Sequence, residues 1–182
     1  MFIAPSEYLK SVFIKYGFPE SKIIFSDYGF RTEYFTNFRH QPDPTLFRYG
    51  YIGTAIPTKG IHILLEAMQY ISDQDIHLTI FAQKNAAFET YWEKLQTIIN
   101  NDRRITNKGD YKNQDIGKVL MNIDAIIVPS EWPENSPLVI HEAFQAKIPV
   151  ITCNIGGMKE LVHENEYGLL FEQGNPRDLA KQ

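Results

Sequence analysis

From Phe47 onward the chain alternates short apolar runs of strand length with stretches that carry apolar residues at helical spacing. That alternation limits its possible folds more than any other feature. The runs Phe47–Ile52, Ile76–Phe81, Arg104–Thr106, Ala125–Val128, Pro149–Thr152 and Leu169–Phe171 read as strands. Between them Lys59–Ile71, Ala87–Asn100, Asn113–Asn122, Pro137–Lys147 and Met158–His163 read as helices, and Pro176–Ala180 opens another. The segment Ala125–Val128 has no polar position, as expected of a strand covered on both faces. Six strands separated by helices predict an α/β fold, a doubly wound, Rossmann-like parallel sheet with helices on both faces. Ligands of such sheets bind outside the carboxyl ends of the strands, here just after Ile52, Phe81, Thr106, Val128 and Cys153.

Residues 1–45 break the pattern. Phe2–Ala4 reads as a strand end, Ser6 caps a helix through about Tyr16, and Gly17 stops it. Ile23–Phe25 extends again, Tyr28-Gly29-Phe30 turns, and Arg39–Thr45 with Pro42 and Pro44 reads as a linker. The expected organisation is an interdomain segment and linker over 1–45, then one α/β domain over 46–182 that is cut within its last helix.

Composition narrows the function. At 182 residues there is room for one good core but not for two complete α/β domains. A formal charge of −4, with no Lys/Arg block, argues against a nucleic-acid surface. A phosphate needs only a few local cations and backbone N–H groups, so it stays open as a ligand. Cys153 is the sole cysteine, which excludes an intramolecular disulfide and predicts a buried, inert thiol. His62, His77 and His163 lack ligand-like spacing to carboxylates, so neither a metal nor another cofactor is expected. The longest apolar runs are strand-sized and the N-terminus lacks the pattern of a secretion signal, so the expected location is cytoplasmic.

Three segments carry candidate chemistry. Glu134-Asn135-Ser136-Pro137-Leu138-Val139-Ile140-His141-Glu142 follows the buried strand Ala125–Val128. Ser136 suits an N-cap and Pro137 a first helical position, which would set Glu134 beside a helix N-terminus and Glu142 along the same helix. Two carboxylates so placed could each hold a pair of sugar hydroxyls, although the spacing alone also fits surface charges. His141 reads as a histidine on the helix surface. In Gly53-Thr54-Ala55-Ile56-Pro57-Thr58-Lys59-Gly60 a strand ends at Gly53 and Lys59 opens a helix. A cation there is unfavourable for the helix dipole, and a bound diphosphate would account for it, as would a solvated surface lysine. Asn154-Ile155-Gly156-Gly157 offers a glycine pair after a strand, suited either to a ligand's close approach or to a plain tight turn.

These pieces, with Ala4-Pro5-Ser6-Glu7, Asp124 before Val128-Pro129-Ser130, Pro149-Val150-Ile151, Gly168-Leu169-Leu170-Phe171 and Pro176…Leu179-Ala180, form an ordered series. The series resembles the C-terminal domain of the retaining glycosyltransferases of group 1 (family 4), which have two facing Rossmann-like domains, the GT-B fold. The resemblance implies transfer of a sugar from a nucleotide-diphosphate sugar with anomeric retention, in polysaccharide or glycoconjugate biosynthesis. It implies a catalytic position for Glu134, a ribose-holding carboxylate at Glu142 and a phosphate-facing Lys59. It also implies donor contacts from Gly53, Thr54, Asn135, Ser136, Pro137 and Leu138, with Gly109, Asp110 and Tyr111 near the base. The implied partners are the nucleotide-sugar donor and an N-terminal acceptor domain of the same protein. No nucleic acid is implied, and any contact with the inner face of the membrane would come through that other domain.

The chain departs from the family at three places. Thr54 stands where an arginine usually follows the glycine, Phe81-Ala82-Gln83-Lys84 replaces a glycine-rich turn, and Lys147 replaces the usual glycine before Pro149. The missing arginine leaves Lys84 as a candidate substitute and keeps a non-catalytic nucleotide-sugar-binding domain as an alternative. A nucleotide-sugar epimerase of related fold is the other. A nicotinamide dehydrogenase is disfavoured, because no G-x-G-x-x-G follows the first strand.

Overall fold

The computed structural model describes residues 1–182. Near the N-terminus β1 (Phe2–Ala4), α1 (Glu7–Lys15) and β2 (Ile23–Phe25) make a small unit in which the two strands pair in parallel. Ser6 caps α1 through a 3.1 Å bond from the Leu9 amide to its hydroxyl. Phe2, Phe13 and Phe18 form an aromatic cluster beside it.

The larger unit contains β3 (Phe47–Ala55), α2 (Ile61–Tyr70), β4 (Ile76–Lys84), α3 (Glu89–Asn101) and β5 (Ile105–Asn107). It continues through α4 (Ile116–Leu120), β6 (Ala125–Val128), α5 (Leu138–Gln145), β7 (Val150–Cys153), α6 (Gly156–Leu161), β8 (Gly168–Phe171) and α7 (Pro176–Leu179). Its six strands are all parallel, in the spatial order β5-β4-β3-β6-β7-β8. The predicted six-stranded, Rossmann-like sheet with helices on both faces is therefore observed. Every residue of β6 and β7 is buried, including Thr152, whose hydroxyl donates to the Val128 carbonyl at 2.9 Å. The thiol of Cys153 is enclosed with them, and burial pushes it up to about 12. No helix is long and apolar enough to cross a membrane.

Several boundaries moved, each for a local reason. β3 and β4 run on to Ala55 and Lys84 because they pair with each other residue by residue from Phe47↔Ile76 to Ala55↔Lys84. Their polar ends (Thr54, Gln83, Lys84) had marked the close of an apolar run, yet they stay in the ladder. α2 begins at Ile61, later than the expected Lys59, because Pro57–Lys59 winds as a 3-10 turn and Gly60 follows with φ +68°. α5 begins at Leu138, so Pro137 is its N-cap and Ser136 does not cap it at all.

Polar ties hold the amino ends of the strands. Asp124, just before β6, accepts from the Arg48 amide at 2.7 Å and from its guanidinium at 2.9–3.0 Å. Burial acts to raise the Asp124 carboxyl, but the bonds from Arg48 outweigh it and hold the group below its ordinary value. Upstream, Tyr34, Phe35 and Phe38 pack against the core of the sheet, and the Gln41 amide reaches the Met121 carbonyl at 2.9 Å.

Lys147 ends α5 with φ +57°, a left-handed conformation that costs an L-residue with a β-carbon on the order of 1 kcal/mol. The departure from glycine is thus a strained one. Lys147→Gly should stabilise the fold by about 0.5–1 kcal/mol, part of the relief being offset by a freer unfolded chain. Urea denaturation of both proteins checks this; an unchanged or lower midpoint would show that Lys147 carries no such strain.

Candidate functional site

In sequence β3 is followed by β4, yet in space β6 lies on its other side, so the chain reverses direction across the sheet between β3 and β6. Such a switch point is where an open parallel sheet carries its crevice, outside the carboxyl ends of the strands. The 3-10 turn Pro57–Lys59 leaves one strand, and Pro129–Glu134 leaves the other. They are bonded together, since the Thr58 carbonyl accepts from the amides of Glu131 (2.9 Å) and Trp132 (3.2 Å). Above this join Lys59 Nζ meets Glu134 Oε1 at 2.6 Å. The Ser130 hydroxyl, 1% exposed, reaches both that carboxylate oxygen and the Thr58 carbonyl at 3.0 Å.

The pair lines a cavity of about 600 Å³ together with Ser136, Pro137, Leu138 and Val139 from the loop and helix start and Tyr28 and Gly29 from the segment after β2. Two smaller cavities of about 470 and 430 Å³ open at the amino ends of the strands, around Lys147 to Pro149, away from Lys59 and Glu134. The chemistry-bearing groups favour the cavity at the carboxyl ends.

Other predicted residues lie in neighbouring places. Glu142, on α5, does not line the cavity. Burial alone pushes its carboxyl up to about 7. The Tyr111 hydroxyl is raised by burial first and by the Glu142 charge second. Tyr111 also packs edge-on against Phe81, with centroids 5.8 Å apart. Gly109 donates its amide to Asn107 at 3.0 Å, and Asp110 accepts from Gln83 at 3.4 Å. Gly53 and Thr54 lie within β3 instead of in a loop after it, with Thr54 opposite Gln83 in the ladder. Lys84, the candidate substitute for the missing arginine, is ion-paired with Glu89. No three His, Cys, Asp or Glu side chains gather as a metal group would.

Two expectations need correction. His141 is not on the surface; it is 8% exposed, its Nε2 lies 2.6 Å from Ser136 Oγ, and its ring stacks on Phe30 at 4.2 Å. Burial lowers its pKa, against a smaller opposite effect of Asp27. The glycine pair is not a plain turn but the opening of α6. A β-carbon on Gly157 would stand 1.5 Å from the Asn135 carbonyl oxygen, and the Gly157 amide donates to the Glu134 carbonyl at 2.7 Å. The glycines let α6 press against the glutamate loop. Sequence reasoning also gave no role to Ser130, Tyr28 or Phe30. It likewise missed His62, whose ring nitrogens meet Tyr91 OH at 2.9 Å and Glu131 at 3.1 Å. The motif around Ser130 was a usable signal, whereas Tyr28 and Phe30 offered none.

The family model of the group 1 glycosyl transferases matches residues 32–182. Spore coat protein SA of Bacillus subtilis is 28% identical over 140 residues, covering 72% of this chain and 37% of that protein. A D-inositol 3-phosphate glycosyltransferase of Corynebacterium efficiens is 28% identical over 133 residues, covering 69% of this chain and 31% of its own. The chain thus spans about a third of the length of these curated relatives. The crystal structure of Anabaena Alr3699/HepE in complex with UDP and glucose superposes with a TM-score of 0.85 at 23% identity. That likeness covers 98% of this chain and 51% of the Anabaena protein, and it shows a shared fold.

The raised Glu142 carboxyl makes a stability prediction. Its folded value of about 7 lies above the ordinary 4.5, so its contribution is complete below pH ~4.5 and lost as pH rises through 7. Glu142→Gln should therefore be the more stable protein at pH 8, by ~1–2 kcal/mol once residual contact with water is discounted, and no more stable near pH 4.5. Denaturation of both proteins at the two pH values reads the difference; a gap independent of pH would refute the burial of an ionisable group there.

Proposed function

The chain belongs to the group 1 glycosyl transferases, and from that premise we propose that it binds the nucleotide-diphosphate sugar of a retaining sugar transfer. The observation that carries this reading is the Lys59–Glu134 pair, set in the crevice between β3 and β6 on the wall of a roomy cavity. A part-exposed ion pair contributes on the order of 1 kcal/mol. A diphosphate, with more negative charge than one carboxylate, can therefore draw Lys59 away from Glu134. Lys59 then stabilises the charge that builds on the departing diphosphate as the sugar leaves it. Glu134, released on one oxygen and still held by Ser130, is free to accept a hydroxyl of the donor sugar near the reacting carbon. In this reading Glu142 accepts the ribose hydroxyls and Tyr111 borders the base.

Transfer itself needs an acceptor. Because the chain covers only about a third of its curated relatives, we assign the acceptor side of the cleft to a second domain of a two-domain protein. The products would be polysaccharides or other glycoconjugates. Residues 1–30 fit a segment that passes between such domains. The competing reading, a binding domain without catalysis, draws on Thr54 in place of arginine and on the engagement of Lys84 by Glu89.

Calorimetry with UDP and UDP-glucose, taken from the ligands of Anabaena proteins of this fold, is the direct test. ADP and GDP extend it to other bases. Binding of a nucleoside diphosphate should strengthen as pH rises through about 7, where Glu142 ionises. Glu142→Ala should weaken it roughly 10- to 100-fold, since a hydrogen bond to a charged group contributes ~1.5–3 kcal/mol. Thr54→Arg should tighten the diphosphate but not the free nucleoside, with the gain shrinking as salt rises. If no nucleoside diphosphate binds, or neither variant changes its affinity, the donor-site reading fails.

A further inference from the structure

One wall of the cavity comes from the strap that follows β2, through Tyr28 and Gly29, and the facing wall from the loop and helix start at 134–139. These segments are far apart in sequence, so something must set the gap between them. The side chain placed to do so is His141. It projects from α5, the residue before Glu142, and is held on two sides. Its Nε2 is 2.6 Å from the buried Ser136 hydroxyl, which fixes the loop two residues after Glu134. Its ring lies nearly parallel to that of Phe30, with centroids 4.2 Å apart and an interplanar angle of 22°. Asp27 adds a third contact, with Oδ1 at 3.7 Å from Nε2. The strap is thus pinned by residues 27 and 30, and the two residues between them, Tyr28 and Gly29, are the ones that face the cavity.

We propose that His141 is a positioning residue: through its Ser136 hydrogen bond and its stack on Phe30 it sets the width of the sugar end of the donor cavity. The inference rests on the donor-site reading above. Ser136 is accordingly a support of the site, its hydroxyl turned to His141 and not to a helix amide. The cost of losing the clamp falls on the ligand portion that touches the strap. A nucleotide held by Glu142 and Lys59 loses little, whereas a nucleotide sugar loses a wall.

Three variants test this with two readouts, chymotryptic cleavage after Tyr28 or Phe30 and the affinities for UDP and UDP-glucose. His141→Ala should speed cleavage roughly tenfold, the gain in open strap that ~1.4 kcal/mol of lost contact releases. It should weaken UDP-glucose about tenfold and UDP much less. His141→Gln, which keeps a partner for Ser136 without the ring stack, should leave cleavage fast and UDP-glucose binding nearly as weak as in His141→Ala. Ser136→Ala should lower UDP-glucose affinity and raise cleavage moderately; it carries the test if His141→Ala does not fold. Cleavage at the wild-type rate in the folded variants, or an equal loss for UDP and UDP-glucose, would overturn the proposal. If the wild-type chain binds neither ligand, the donor-site reading falls, and the cleavage rates alone still decide whether His141 clamps the strap.

Discussion

At Gly60 a methyl group would stand 1.8 Å from the Pro129 carbonyl oxygen, and at Gly157 it would stand 1.5 Å from that of Asn135. No side chain fits at either place. These two contacts squeeze the loop from Pro129 to Asn135 between the start of α2 and the start of α6. The rest of the crevice depends on that compression. It lets the Thr58 carbonyl accept amides from the facing loop, aligns Ser130 under the carboxylate, and brings Lys59 and Glu134, 75 residues apart in sequence, to 2.6 Å.

Electrostatics then makes the crevice receptive. Lys59 sits beside the amino end of α2, where backbone amides already favour an anion, so its charge works against the helix. Glu134 offsets that charge from 2.6 Å away. Glu142 is handled in the opposite way, kept by burial near the point of ionisation with no cation beside it. One carboxylate is therefore paired with a lysine, while burial alone raises the other.

Much of the architecture was legible because it follows from patterns repeated over many residues. Ala125–Val128 and Pro149–Thr152 read as strands from their small and β-branched residues, and every residue of the observed β6 and β7 is buried. Element ends were less legible. Gln83 and Lys84 look like the close of a strand, yet pairing with Thr54 and Ala55 extends both partners. Pro137 suits the first turn of a helix, but the backbone there stays extended (ψ 123°) and the helix starts one residue later. For β3 and β4 the long-range ladder outweighed a local preference.

The sequence by itself determined the alternation of strands and helices, the parallel sheet, and the strand ends after which ligand-binding residues should fall. These are properties of hydrophobic periodicity, which acts locally and is averaged over many positions. Only the tertiary structure decided which polar groups meet. It turned Ser136 away from the helix and towards His141, buried a histidine that a helical wheel leaves outside, and drew Lys84 to Glu89. It also brought Tyr28 and Gly29 from before the sheet to the wall facing Glu134. Such pairings turn on single distances between segments far apart in the chain, and no period or propensity encodes a distance of that kind.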